Sequence, residues 1–141
     1  MSTTSVTAGS AGTSSSASVA ILAGRILLAS MFVLAGFGKL TDIAGTAGWF
    51  GSIGLPAPTI VAVLVGLLEL VGGLAIVVGF QTRIAALAIA AFTVGATLIA
   101  HTNFADMTQF LFFQKNFAIV GGLLILAFVG AGSLSVDARR S

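Results

Sequence analysis

Apolar residues are concentrated in four long runs that are separated by short polar or glycine-rich segments. These runs cover about residues 19–40, 57–80, 84–100 and 112–131. A helix needs ~20 predominantly apolar residues to cross a bilayer core, and ~17 is the lower limit. The runs lack the two-residue alternation of barrel strands, so only helices would satisfy their backbone polar groups in lipid. The sequence therefore predicts an all-α protein, an integral membrane bundle of four transmembrane helices.

The segments outside these runs are interpreted from their composition. Residues 1–18 are mainly Ser, Thr, Ala and Gly without charge, which predicts a disordered tail. A secretory signal begins with a basic segment, and no Lys or Arg precedes Arg25, which argues against a cleaved signal. The transmembrane domain is predicted over residues 19–137, followed by a short basic tail over 138–141. The glycine-rich segment 41–56 is expected in the membrane interface, with one short helical turn.

Composition supports the membrane interpretation and excludes several classes of protein. Charged residues make up 7% of the chain and hydrophobic residues 57%, whereas a soluble domain has about 25% charged residues. This composition excludes a water-soluble enzyme, because so few charges cannot cover the surface of a small domain. The net charge of +2 comes without a basic cluster, so no nucleic-acid partner is expected. The chain has no cysteine and can perform no thiol chemistry.

The distribution of basic residues predicts the orientation. Four crossings place both termini on one side of the membrane. That side carries all four arginines, whereas the opposite side carries Lys39 and Lys115. The positive-inside rule then predicts a multi-pass protein of the bacterial plasma (inner) membrane with both termini cytoplasmic.

Glu69 is the most informative polar residue within the apolar runs. It lies about 11 residues into the second predicted helix, ~16 Å from its start and near the middle of the bilayer. Its neighbours Gly66 and Gly73 form a stripe of small residues that favours a helix contact, so Glu69 is expected to point into the bundle. Arg25 is its predicted partner, about one helical turn away in depth. The alternative is that Arg25 extends to the headgroups and Glu69 is protonated. Whether such a pair is structural or functional stays open.

A second group of polar residues is predicted near the membrane surface opposite the two termini. His101 ends the third helix, Asp106 lies in the loop, and Gln114, Lys115 and Asn116 open the fourth helix. Side chains of these types suit a quinone carbonyl, an anionic headgroup or a small oxyanion. Interfacial anchoring is the alternative, and it is favoured for His101 and Asp106. Asn116 needs hydrogen-bond partners if it points into the bundle.

Known cofactor motifs are absent from the sequence. There is no HExxH, CxxC or P-loop motif, and no GxGxxG motif after a strand. Glu69 and His101 are too few, and too different in predicted depth, for a metal site. One histidine cannot supply both axial ligands of a haem, and iron–sulfur clusters need cysteines. No metal and no covalent cofactor are therefore expected.

Several fragments together resemble the DoxX family of small four-helix bacterial and archaeal membrane proteins. In chain order these are Gly24–Leu28, Ala35–Leu40, Gly54–Pro56, Leu68–Gly73, Gly79–Arg83, Lys115-Asn116, Gly121-Gly122 and Ser133–Asp137. The resemblance implies a bacterial inner-membrane protein. Its name-giving relatives are associated with a thiosulfate:quinone oxidoreductase, and other members with membrane oxidoreductase and thiol-stress systems. Because this chain has no cysteine, a partner subunit or a bound quinone would have to supply redox chemistry.

Three functions are therefore open at this point. The first is a membrane subunit or anchor of a redox complex that touches quinone, with a redox protein as partner beside the lipid bilayer. The second is a small transporter, and the third is a purely structural scaffold. Small pairs four residues apart, such as Ala86 and Ala90, also favour a homo-oligomer. Whether the chain is itself an enzyme is not decided by the sequence.

Overall fold

A computed structural model describes residues 14–140, which form α-helices joined by short connections and include no β-strand. Six α-helices occur in this range: α1 Ser15–Thr41, α2 Ile43–Ser52, α3 Pro58–Val78, α4 Thr82–Ala100, α5 Met107–Val129 and α6 Val136–Arg140. Helices α1, α3, α4 and α5 are long and apolar enough to cross a membrane. The predicted all-α bundle of four transmembrane helices is confirmed. Residues 1–13 of the predicted tail lie outside the described residues, and α1 begins four residues before the predicted start.

Side-chain caps set the ends of the first two helices. Ser14 caps α1, since its hydroxyl accepts a hydrogen bond from the backbone N–H of Ala17 at 3.2 Å. Asp42 follows α1 and caps α2, because its carboxylate accepts from the N–H of Gly45 at 3.0 Å. The interfacial segment after α1 therefore forms a helix of ten residues, longer than the single turn expected from its glycines.

The later helices begin and end at residues with special backbone requirements. Helix α3 begins at Pro58, where the missing N–H costs nothing. It ends at Val78 and is followed by Gly79, whose φ of 73° is left-handed and favours glycine. Helix α5 begins at Met107 with Asp106 as its cap, five residues before the predicted start. The three polar residues expected to open this helix, Gln114, Lys115 and Asn116, therefore lie about two turns inside it.

The helices form a ring in which three of the four seams are closed. Helix α1 packs along α3, α3 contacts α4, and α4 packs along α5, whereas α1 and α5 meet at few positions. The core between them contains mainly small and branched residues: Ala29, Phe32, Ile76, Ala86, Ile89, Ala90, Val120, Leu123, Leu126 and Ala127. Large apolar side chains such as Leu27 and Phe128 cover the outside, as expected for a surface that faces lipid.

The close approach of α1 and α3 fixes their register. A Cβ atom on Gly36 would lie 2.6 Å from the carbonyl oxygen of Gly66, and a Cβ on Gly66 would lie 2.9 Å from Leu40. Lys39 is therefore level with Gly66, about eight residues or ~12 Å along α3 from its start. The first turns of α3 thus extend beyond the end of α1. Helix α2 covers this part, where Phe50 packs near Ala62.

Candidate functional site

A cavity of about 490 Å³ lies at the end of the bundle where α1 ends and α5 begins, which we call the Lys39 end. Its walls are mainly apolar, with contributions from Phe32, Trp49, Phe50, Val65, Phe92, Ile99 and Phe112. Its polar lining residues are Lys39, Glu69, Thr93, His101, Lys115 and Asn116. A mostly apolar cavity of this size with a few converging polar groups is typical of a small-molecule site.

Glu69 forms an ion pair with Lys39 in this cavity. The Lys39 ammonium donates to Oε2 of Glu69 at 3.0 Å. Glu69 is only 5% exposed, so the pair lies in a setting where an unpaired charge would be costly. Within residues 14–140 no hydrogen bond reaches Oε1 of Glu69, which leaves this oxygen available to a ligand in the cavity.

Arg25 is not the partner of Glu69, so the predicted pair is wrong. Its guanidinium donates to three backbone carbonyls, those of Ala131 at 2.7 Å, Leu134 at 2.8 Å and Val77 at 3.2 Å. The alternative in which Arg25 extends to the headgroups is also wrong, because the residue is only 1% exposed.

The error has a physical cause in the register of α1 and α3. The Arg25–Glu69 pair was predicted by counting residues along each helix, which assumes that the end of α1 and the start of α3 lie at the same depth in the membrane. In the structure Arg25 lies against Gly79, ten residues or ~15 Å along α3 from Glu69. Lys39, which the sequence placed at the membrane surface, is instead level with Gly66. The glycines that bring α1 and α3 together were the available signal for this register.

Asn116 is held by one hydroxyl group of α4. Its Nδ2 donates to the hydroxyl of Thr97 at 3.0 Å, and Thr97 in turn donates to the carbonyl of Thr93 at 2.6 Å. The expectation that an inward-pointing amide finds hydrogen-bond partners is confirmed. Thr97 is fully buried, so this bond anchors the amide at the wall of the cavity.

His101 and Lys115 lie next to each other around Phe112. The imidazole is 5.1 Å from the Phe112 ring, and the Lys115 ammonium is 4.6 Å from the same ring. Burial lowers the pKa of His101, and the nearby charge of Lys115 lowers it further, so the neutral imidazole is favoured. Its Nδ1 is buried without a hydrogen-bond partner among the described residues. Lys115 also approaches the sulfur of Met31 at 3.8 Å.

The structure thus brings four of the five predicted candidates to one cavity. Glu69, His101, Lys115 and Asn116 line it, whereas Arg25 lies at the opposite end of the bundle, which we call the Arg25 end. The other two polar residues of the predicted surface group do not line it: Asp106 caps α5, and Gln114 is exposed. No group of three His, Cys, Asp or Glu side chains in the described part of the chain could hold a metal.

The arrangement favours a planar ligand with oxygen acceptors. Ammonium groups of Lys39 and Lys115 can donate to carbonyl oxygens, and hydrogen bonds from charged donors are the stronger kind. Trp49 and Phe112 supply aromatic surfaces against which a ring can stack. Lys39, missed as a site residue from the sequence, contributes one of these donors.

Comparisons with known proteins find a matching family and several relatives. Residues 20–102 match the DoxX family model. The inner membrane protein YqjF of Escherichia coli is 44% identical over 119 residues, which cover 84% of this chain and 90% of that protein. The E. coli inner membrane protein YphA is 34% identical over 127 residues, 86% of this chain and 90% of that protein. A Bacillus subtilis protein named "Putative oxidoreductase CatD" is 28% identical over 113 residues, 80% of this chain and 81% of that protein. No solved structure matches the chain significantly.

Proposed function

This chain belongs to the DoxX family, and we propose that it is an inner-membrane protein that binds a quinone and serves as the membrane subunit of a redox complex. The observation that carries the proposal is the cavity at the Lys39 end, where charged donors meet aromatic walls. The inner-membrane location is supported by the names of the E. coli relatives. The redox role is supported by the printed name of CatD.

A quinone fits the chemistry of this cavity. Its ring is apolar and planar, which suits the surfaces of Trp49, Phe92 and Phe112. Its carbonyl oxygens accept hydrogen bonds, which Lys39 and Lys115 can donate from different helices. The Oε1 atom of Glu69 can accept a hydrogen bond from the hydroxyl of the reduced form. The quinone would supply the redox chemistry, while the residues of this chain bind and orient it.

The proposal includes a redox partner protein, because the chain has no cysteine and a single histidine. Electrons would have to come from, or pass to, a centre held by another subunit. Self-association of the chain is a further part of the proposal, supported by the small residues on α4. Co-purification in mild detergent, followed by native mass spectrometry, tests both associations. Recovery of the chain only as an unaccompanied monomer would contradict them.

The proposal also places both termini in the cytoplasm, on the side that carries the arginines. The absence of native cysteine makes single-cysteine labelling clean. Ser2→Cys and Ser141→Cys should both be protected from a membrane-impermeant thiol reagent in intact cells and become labelled after lysis. Labelling of either variant in intact cells would contradict this orientation.

Fluorescence of Trp49 tests quinone binding directly. The chain has one tryptophan, and it lines the cavity, so a bound quinone should quench it. We expect saturable quenching by a naphthoquinone without a prenyl tail. Lys115→Leu should weaken binding about tenfold, because a hydrogen bond from a charged donor is lost.

The matched control is Arg139→Leu, which removes one positive charge from α6 at the Arg25 end. It should bind the same naphthoquinone as the unmodified protein does. Absence of saturable quenching, or equal effects of the two variants, would refute the quinone site. Either result would favour the hypothesis that the chain is a purely structural scaffold.

A further inference from the structure

The open seam of the helix ring, between α1 and α5, forms a second groove. It has a volume of about 650 Å³ and is lined by Ile21, Gly24, Arg25, Leu27, Leu28 and Met31 of α1 and by Ile119, Gly122, Ile125, Leu126 and Val129 of α5. The lining residues span ten positions on each helix, or ~15 Å along the axis. The groove thus runs from the middle of the bundle to the Arg25 end.

The chemistry of the groove is that of a hydrocarbon site. Arg25 is its only polar lining residue, and its guanidinium is already engaged by the carbonyls of Val77, Ala131 and Leu134. The Nε of Arg25 has no hydrogen-bond partner among the described residues, but it is buried, so the surface that the groove presents is almost entirely apolar. Gly24 and Gly122 supply no side chain to fill the space between the helices.

The groove adjoins the cavity of the candidate site. Met31 lines both spaces, so the two lie on either side of one residue. Its flexible, unbranched side chain is of a kind that adapts to different neighbours. Lys115 contacts the Met31 sulfur from the cavity side. The adaptable Met31 side chain is therefore the shared boundary past which a molecule in the cavity would extend to reach the groove.

We propose that the groove between α1 and α5 holds the hydrocarbon tail of the same lipid molecule whose polar ring occupies the cavity at the Lys39 end. This inference rests on the proposed quinone site and deepens it: the ligand is a long-tailed membrane quinone and not a small soluble aromatic. The polar side chains that can meet a ligand lie in the cavity, whereas the lining of the groove is apolar except for Arg25. Such a distribution matches a single amphipathic molecule lying along the helix axes.

Gly24→Phe tests the inference by filling the groove. A Cβ atom at Gly24 meets no other atom within 4 Å, so a side chain can be added at this lining position without an immediate clash. Gly38→Phe is the matched control: Gly38 is on the same helix, has equally open surroundings, and does not line the groove. The probes are a naphthoquinone with a long prenyl tail and the same naphthoquinone with a methyl group in place of the tail. Quenching of Trp49 in lipid nanodiscs reports binding of both.

We expect Gly24→Phe to weaken binding of the tailed quinone about tenfold, the effect of losing on the order of ten atomic contacts. Binding of the tail-less quinone should not change. Gly38→Phe should leave both affinities unaltered. Each comparison is made between variant and unmodified protein for one quinone, so that partitioning into lipid cancels. Gly122→Leu, whose new side chain would meet Leu28 at ordinary contact distance, should reproduce the selective loss.

Several results would overturn the inference. Unchanged binding of the tailed quinone to both Gly24→Phe and Gly122→Leu would mean that the tail lies elsewhere. Equal weakening of both quinones would mean that the substitution acts on the fold of the cavity. Unchanged quinone binding together with loss of a dimer in native mass spectrometry would identify the groove as an interface between copies. If neither quinone quenches Trp49 in the unmodified protein, the proposed quinone site is refuted together with the tail groove. If both quinones quench it but the variants bind normally, only the tail groove is refuted.

Discussion

Removal of the Lys39 charge should lower the free energy of unfolding, because it leaves the buried Glu69 carboxylate without a partner. Glu69 is 5% exposed, and the Lys39 ammonium at 3.0 Å is its only ion-pair partner within residues 14–140. Breaking a buried ion pair by removing one partner costs about 3–5 kcal/mol in soluble proteins. The neighbouring cavity can admit water to the carboxylate, so we expect the lower end, about 3 kcal/mol, for Lys39→Met.

A double-mutant cycle separates the pair from the two individual side chains. Lys39→Met and Glu69→Gln keep the approximate size of each side chain while removing its charge. The double variant should lose less stability than the sum of the single losses, because it leaves no uncompensated charge. Directly contacting residues show coupling energies of about 0.5–3 kcal/mol, and a buried ion pair should lie in the upper part of that range.

The assay is reversible unfolding in mixed micelles of a mild detergent and dodecyl sulfate, with circular dichroism as the measure of the folded fraction. A second cycle with Arg25→Leu and Glu69→Gln is the control. Arg25 and Glu69 are separated by ~15 Å along the bundle, so their effects should add within about 0.5 kcal/mol. Additive losses in the Lys39 cycle, or clear coupling in the Arg25 cycle, would refute the register of α1 and α3 described above.

Two further predictions concern the contacts that hold the ends and the middle of the bundle. Gly36→Ala should destabilise the protein by about 1–3 kcal/mol, because the new methyl group would meet backbone atoms of α3 that cannot move aside. Gly38→Ala, which meets nothing, should be neutral or slightly stabilising in the same unfolding assay, and equal losses would contradict the close contact. Asp137 accepts hydrogen bonds from the N–H groups of Gln81 and Thr82 at 2.7 and 2.9 Å. Burial acts to raise the pKa of Asp137, but its hydrogen bonds and the charge of Arg140 together outweigh burial, so the pKa is lowered. The resulting stabilisation is fully present above the unfolded pKa of about 4 and is lost as the pH falls through the lower pKa of the folded state. Asp137→Ala should therefore remove about 1 kcal/mol of stability at pH 7. On acidification the variant should lose less stability than the unmodified protein, and identical pH profiles would contradict this role.

The transmembrane architecture could be predicted from the sequence because lipid imposes a demand that every residue in a span must meet. Backbone groups in hydrocarbon must form hydrogen bonds within a helix or a closed barrel. Long apolar runs without two-residue alternation exclude the barrel, so the helix is the remaining structure. The same demand identified Glu69, Asn116 and Arg25 as residues that need partners. That part of the reasoning required only the position of a polar residue within an apolar run.

The choice of partners was decided by tertiary structure. The register of α1 against α3 depends on where Gly36 meets Gly66, and this contact places Lys39, not Arg25, beside Glu69. Counting residues from predicted helix ends could not show that α3 extends ~12 Å beyond the level of Lys39. Arg25 binds backbone carbonyls, which every residue carries, so its partners leave no mark on the sequence.

The cavity itself is likewise a product of packing. His101, Lys115 and Asn116 could be grouped from the sequence, because they lie near one predicted membrane surface. Their convergence with Glu69 required α2 to cover the first turns of α3 and α1 to remain apart from α5. Hydropathy determines which segments enter the lipid, since transfer free energy depends on each residue alone. The space between those segments depends on the fit of side chains from five helices, and only the folded chain determines it.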